Sequence, residues 1–421
     1  MSFFNLVKYF NIIEKIQYTL IIIMILSLPY NIIAPRFSLL LSILIFIFAS
    51  LYPKRSLESL FQHKVILYLF GFILLTYLSV LWTPAKDMFG GNFKVNIYAY
   101  LNYFFLIPGI YLSQLDKNKL QYLILFFILS PIIYMIIYYT NFLGLTTIYS
   151  YNYWTDTPHI YYTHILYVDL FANIFLLFSS LFIYIKLINL IMVKKYKYAF
   201  LLSLIFLFVS LTLFIDDLTS SRIINLTYLI SIAFISSFFF SKKLRYIIIM
   251  MFMLLIGVFL LNSSSYQEGF SQLKKSYDSG QHIGSWPIRL NLANYGLKMY
   301  TEHPFVGRGI TDIIDTMKKV KIEHQSDFVG PYLHFHNQHI LILVQVGIIG
   351  YIIFLFFIFN YYRVPIKNKE FNLYQKVTIL IYFILMCGEH YLQMVHTSTL
   401  FALLFAIYIS YYQEENEIKY N

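Results

Sequence analysis

The residues of this chain that are able to do chemistry gather late. His334-Phe335-His336-Asn337-Gln338-His339 sets three imidazoles within six positions, where a polar stretch gives way to a long apolar run. A neutral imidazole in a shielded, wet junction takes a proton from a hydroxyl near neutral pH. The same residues also read as solvated histidines around a helix start capped by Asn337. Two arginines stand apart from this cluster. Arg222 follows Ser220-Ser221 at the head of another apolar run, and its planar fork suits phosphate oxygens. An arginine there equally snorkels to a membrane interface, beside Asp216 or Asp217. Arg289, in Trp286-Pro287-Ile288-Arg289, stands near the start of an expected helix, where a solvated charge is the plainer account.

Metal chemistry has less to stand on. The polar loops around these residues hold no Asp-x-Asp pair, and Asp312 and Asp315 share a helical face as solvated carboxylates do. Without a carboxylate cage, Mg²⁺-dependent glycosyl transfer is disfavoured. Arginines could replace the metal by stabilising a pyrophosphate leaving group. Zinc on His334, His336 and His339 is the weaker alternative, because the first two alternate in extended chain. A single cysteine, Cys387, excludes a disulfide framework and a cysteine cage, and lies in an apolar run as a core residue would. There is no P-loop and no dinucleotide-binding glycine pattern. The chain is therefore expected to use no metal and no cofactor.

The elements that must position these groups are membrane helices. Of 421 residues, 59% are hydrophobic and 12% charged, against about a quarter charged in soluble domains. The apolar runs approach the roughly 20 residues that cross a bilayer core, and they do not alternate as barrel strands do. Spans are expected at 16–33, 36–52, 65–82, 94–112, 120–143, 160–186, 198–215, 222–240, 244–261, 337–360, 374–393 and 396–412. The first apolar run, 18–33, has no small-residue cleavage site and is expected to stay as an anchor. Some of the 40 Tyr and 42 Phe fit interfacial belts.

With a cytoplasmic N-terminus, nineteen of the 31 lysines and arginines fall in cytoplasmic segments, four in short outer loops and eight in one long outer loop at 262–336. This bias puts both termini inside, and explains the +11 net charge by topology instead of nucleic-acid binding. Ten of the 11 histidines then lie at or near the outer face, His63 being the exception. Helices are expected in the loop at 287–301 and 310–321. The chain divides into spans one to nine (1–261), a periplasmic loop with short helices (262–336), and spans ten to twelve with a cytoplasmic tail (337–421).

These residues match a known pattern. His336-Asn337, nine residues and Gly347-x-x-Gly350 resemble the His-Asn-x9-Gly-x-x-Gly signature of O-antigen ligases. Arg222-x-x-x-Leu226 resembles that family's Arg-x3-Leu motif. The stretch from Arg289-Leu290-Asn291 to His303-Pro304-Phe305-Val306-Gly307-Arg308-Gly309 resembles its loop pattern. The family's topology, about twelve spans with a large periplasmic loop between the ninth and tenth, is similar too. The resemblance implies an all-α polytopic fold like that of GT-C-like glycosyltransferases, in the bacterial inner membrane with a periplasmic active site. It implies an inverting, metal-independent glycosyltransferase. The donor would be a glycan on undecaprenyl pyrophosphate and the acceptor lipid A–core. His336 would be the base, with Arg222 and Arg289 on the pyrophosphate. Asn337, His334 and Arg308 are candidate substrate-binding residues, Asn337 as an orienter of His336. Gly347 and Gly350 are expected to be packing positions.

Two neighbouring readings use similar residues: a polysaccharide polymerase with the same donor, and a relative that glycosylates proteins. A transporter of lipid-linked glycan is the rival of another class. It has less support, because no repeat is visible and the apolar runs are nearly free of charge apart from Asp169 and Glu389.

Overall fold

The structure is a computed structural model that describes residues 3–28, 35–83, 91–142, 158–213, 222–241, parts of 244–261, 263–280, 284–310 and 335–417. The described residues form helices, with no strand among them. Each run expected to span, outside 244–261, overlaps a helix: α1 (Phe3–Ser27), α2 (Pro35–Leu51), α4 (Lys64–Leu78), α5 (Gly91–Leu112), α6 (Lys117–Phe142), α7 (Pro158–Met192), α8 (Tyr196–Thr212), α9 (Arg222–Phe239), α12 (Gln338–Tyr362), α13 (Lys369–Leu385) and α14 (Val395–Glu417). A short α3 (Leu57–Phe61) precedes α4, and a 3₁₀ turn (Ser79–Trp82) extends it. Among the described residues, five helices are long and apolar enough to cross a membrane: Lys64–Trp82, Lys117–Ile136, Asn173–Met192, Arg222–Phe239 and Gln338–Tyr362. The protein is a multi-pass membrane protein.

Two further helices, α10 (Ser264–Ser279) and α11 (Ser285–Glu302), lie between α9 and α12. α11 covers the helix expected at 287–301. α10 is an addition to the sequence reading, which took its serine- and lysine-rich stretch as loop. The helix expected at 310–321 and the pair Asp312 and Asp315 lie outside the described residues, as do Asp216 and Asp217. The side chain of Asp169 is likewise not described.

The two ends of the helix bundle differ. At one end, loops rich in Lys and Arg meet the C-terminal turns of α14. Arg55 bonds Glu414, Glu417 (2.9 Å) and the Tyr111 carbonyl (2.9 Å). Lys54 reaches Glu414 and Lys117 reaches Glu415. The backbone N–H groups of Lys367 and Asn368 also donate to Glu415. At the other end lie the starts of α9 and α12 and the ends of α4 and α13. α5 packs between α2 and α14, and α12 packs along α4.

α12 is broken in its middle. Gly347 has φ 65° and ψ −169°, a region open essentially to glycine alone. Four backbone groups lose their helical partners there, and the turn after α11 supplies others. Arg308 N–H donates to Val344 O (2.7 Å) and Gly309 N–H to Gln345 O (3.0 Å). Ile348 N–H donates to Pro304 O (2.8 Å) and Ile349 N–H to Phe305 O (3.3 Å). Gly347 is thus more than the packing position expected of it. Gly307, with φ 69°, approaches the same break so closely that a Cβ would sit 2.5 Å from the Gln345 carbonyl carbon. The Pro304–Ile310 turn is also tied to the end of α4, by Trp82 Nε1–H to Val306 O (3.1 Å) and by Ile310 N–H to Ser79 Oγ (3.0 Å). The two sequence motifs that carry glycines therefore form one clasp.

Candidate active site

The site is built around the turn 386–394, which links α13 to α14. The sequence places a span at 374–393, but α13 ends at Leu385. Gly388 and the polar pair Glu389-His390 fall where the helix stops. Cys387, expected in the core, is exposed on this turn. Glu389 is buried, and each of its oxygens takes an imidazole: Oε2 lies 2.7 Å from His336 Nδ1, and Oε1 lies 2.7 Å from His390 Nδ1. A carboxylate accepts only, so each Nδ1 carries the hydrogen and each lone pair resides on Nε2.

His336 is held by its neighbours. Phe335 is buried with Leu292, Met299, Leu341 and Val344 in a small apolar cluster between α11 and α12. Asn337 caps α12, its Oδ1 accepting from Ile340 N–H (3.1 Å), while its Nδ2 donates to Cys387 O (3.2 Å). Asn337 thus acts on the turn that carries Glu389, as well as on its own helix. Gln338 N–H donates to Met386 O (2.8 Å), and its buried Oε1 accepts from Leu392 N–H (3.2 Å). Between these anchors His336 itself takes φ 49°, a left-handed conformation uncommon outside glycine.

His339 serves a different purpose. Its Nε2 faces the Phe383 carbonyl (3.4 Å), which only accepts, so Nδ1 accepts from the Tyr351 hydroxyl (3.2 Å). Phe383 and Tyr351 also meet its ring edge-on. His336 and His339 therefore turn to separate partners, and do not converge as the zinc alternative requires. His334 lies outside the described residues.

The arginines come to the same turn from other elements. Arg222 opens α9, and the next residue, Ile223, lies against Gly388, where an added Cβ would come within 3.2 Å of it. The Arg222 guanidinium stands 5.5 Å over the Trp286 ring and 3.8 Å from Glu268 of α10. Its carbonyl accepts from the Tyr266 hydroxyl (2.7 Å). Burial pushes that phenol up to about 12, against the pull of the Arg222 charge. Arg289 is exposed on α11, and its charge reaches the buried Tyr391, as that of Glu389 does. Arg308, on the clasp, is paired with Glu302.

Of the residues singled out in the sequence, the fold ties His336 and Asn337 to this turn, sets the start of α9 beside it through Ile223, leaves Arg289 within reach of Tyr391 by charge, and places Arg308 on the clasp. Sequence reasoning missed Glu389 and His390 as site residues, and missed Trp286 as the wall beside Arg222. The available signal was a Gly-Glu-His step inside an apolar window.

A helical membrane protein with a histidine–carboxylate pair at one end of its bundle, and arginines on the neighbouring helices α9 and α11, has groups for proton removal and for holding an anion. Residues 206–355 match the family model described as O-antigen ligase. The match runs from α8 into α12 and contains Arg222, Arg289, both clasp glycines and His336. No curated protein matches the chain closely.

Proposed function

We propose that the protein is an O-antigen ligase, which transfers a glycan from undecaprenyl pyrophosphate to lipid A–core by inverting, metal-independent displacement. The observation that carries this reading is the His336–Glu389 pair, whose histidine lies in the family-matched segment together with Arg222 and Arg289. His336 Nε2 takes the proton of the acceptor hydroxyl while that oxygen attacks the anomeric carbon. The bond from that carbon to the pyrophosphate oxygen breaks, and the electron pair leaves with the carrier pyrophosphate. Arg222 and Arg289 neutralise the charge that develops there. Glu389 stabilises the imidazolium and fixes its tautomer, as a carboxylate does for a general base. Asn337 anchors the turn, and Arg308 and His334 complete the substrate-binding set.

The reaction is assigned to the periplasmic face of the bacterial inner membrane. The chain is taken to cross twelve times with both termini inside, and 262–336 forms the periplasmic loop. The support is the concentration of basic loops at the bundle end opposite the site, because cytoplasmic loops carry the Lys and Arg excess. A donor diffusing in the membrane presents its pyrophosphate near the outer interface, where this site would meet it.

The test is complementation of a deletion strain with wild type, His336→Ala, Arg222→Ala and Arg289→Ala, with lipopolysaccharide read on a gel. The expected result is bare lipid A–core in the deletion strain, polymer accumulated on the carrier lipid, and no ladder restored by the three variants. Core capped with a single repeat would make the protein a polymerase acting through the same residues. Normal lipopolysaccharide in the deletion strain, with no redundant enzyme, would overturn both and favour transport.

A further inference from the structure

We infer that His390 is a positioning residue for this reaction, acting through Glu389 and not on the substrate. The inference rests on the proposed role of His336 and adds a residue to it. A glutamate carboxylate turns easily about its last bond, whose torsional preference is broad. The bond to His336 fixes one oxygen, Oε2. The second imidazole restricts that turning, because His390 Nδ1 holds Oε1 at 2.7 Å while His336 Nδ1 holds Oε2 at 2.7 Å. The His390 backbone N–H also points at Oε1, at 3.3 Å. With the carboxylate plane set, the direction of the His336 ring and of its Nε2 is set as well.

The second effect is electrostatic. Hydrogen bonds to the charged form of an acid favour that form. Held by both imidazoles, the carboxylate faces the positive charge that develops on His336 when it takes the acceptor's proton. The fold does not need His390 for the turn itself, which is pinned by the Gln338 N–H to Met386 O bond and the Leu392 N–H to Gln338 Oε1 bond. Tyr391 is fully buried beside it. His390 is the member of this turn whose side chain is spent on orienting another.

The experiment is a mutant cycle on the full-length protein in membranes, with lipid-linked glycan as donor and lipid A–core as acceptor. Steady-state rates over a range of donor concentrations are measured for wild type, His390→Phe, Glu389→Gln and the double variant. His390→Phe is expected to lower kcat by roughly tenfold to a hundredfold, the scale of a misplaced catalytic group, with the donor KM unchanged. His390→Asn keeps a donor near the Nδ1 position and is expected to restore most of the rate. In the Glu389→Gln background the cost of His390→Phe should largely vanish, because the group through which it acts is gone. Should His390→Phe fail to accumulate, His390→Ala goes through the same cycle. A wild-type kcat for His390→Phe, a change in KM alone, or the same factor lost in both backgrounds would overturn the inference while leaving the ligase reading intact. A wild-type protein that transfers no glycan would overturn both.

Discussion

Replacing Gly347 with alanine tests the clasp. At φ 65° and ψ −169° a residue with a Cβ is strained by about 1–3 kcal/mol. The added methyl would fall on the Phe305 carbonyl and sit 2.5 Å from Val306 N, so the turn after α11 must withdraw. Withdrawal breaks at least the bonds from Ile348 N–H to Pro304 O and from Ile349 N–H to Phe305 O, each worth about 0.5–1.5 kcal/mol. The two contributions together give a loss of roughly 2–6 kcal/mol. Gly71 is the control. It lies within α4 and has no atom within 4 Å of an added Cβ, so Gly71→Ala should be neutral or stabilise by up to about 1 kcal/mol through helix propensity. Thermal unfolding of both variants in the same detergent decides the matter. If Gly347→Ala melts with wild type, or moves no further than Gly71→Ala, the break in α12 is not held by the clasp and the argument fails.

Three further outcomes follow from the contacts. Asn337→Ala removes the cap of α12 and the tie to Cys387 O; a stability loss of about 1 kcal/mol should accompany a fall in glycan transfer, whereas Asn337→Asp, which keeps the cap acceptor, should recover the stability alone. Arg55→Ala leaves the nearly buried Glu414 with Lys54 as its remaining cation among the described contacts; thermal unfolding should show a loss of about 3 kcal/mol, the low end for breaking a buried pair, with transfer at permissive temperature unchanged because the site is at the other end of the bundle. Burial, and then the Arg55 charge, hold His63 below its ordinary range despite a bond with Gln413. The unfolded chain therefore binds a proton that the folded chain refuses. This contribution is absent above about pH 6.5 and destabilises the fold as pH falls below it. His63→Phe should flatten the acid-side decline in melting temperature, and an unchanged slope would refute the assignment.

The parts of the fold that were legible in the sequence are those set by local chemistry. Long apolar runs become helices because lipid offers the backbone no other partner. Asn337 announces the start of α12 because its side chain accepts a first free N–H group; Asn368 does the same for α13, which begins before the span expected at 374. The rest depends on neighbours remote in sequence. Gly347 reads as a small residue in a membrane helix until the 304–310 turn is brought beside it. Glu389 reads as a stray charge in an apolar window until His336, 53 residues away, meets it. α10 was hidden by its polar composition, although Tyr266, Phe270, Leu273 and Tyr277 recur at helical spacing. Its packing comes from Trp286, which Tyr266 and Phe270 meet edge-on from the preceding helix.

The backbone of His336 carries a last consequence. A left-handed residue with a Cβ costs about 1–2 kcal/mol, and His336 has φ 49°. Glycine at this position relieves that cost, less the roughly 0.5–1 kcal/mol that glycine adds through chain entropy. It also strips a nearly buried carboxylate of one donor, which costs about 1.5–3 kcal/mol for a bond to a charged group. The second effect is larger, so His336→Gly should destabilise the wild-type fold by about 1–2 kcal/mol. In a Glu389→Leu background no carboxylate remains to be stripped, and only the backbone contribution survives. There the same substitution should be neutral or slightly stabilising. A melting series over the four proteins reads this reversal directly. Equal destabilisation in both backgrounds would mean that something other than Glu389 holds His336 in its strained conformation, and would remove the physical basis for treating the pair as one catalytic unit.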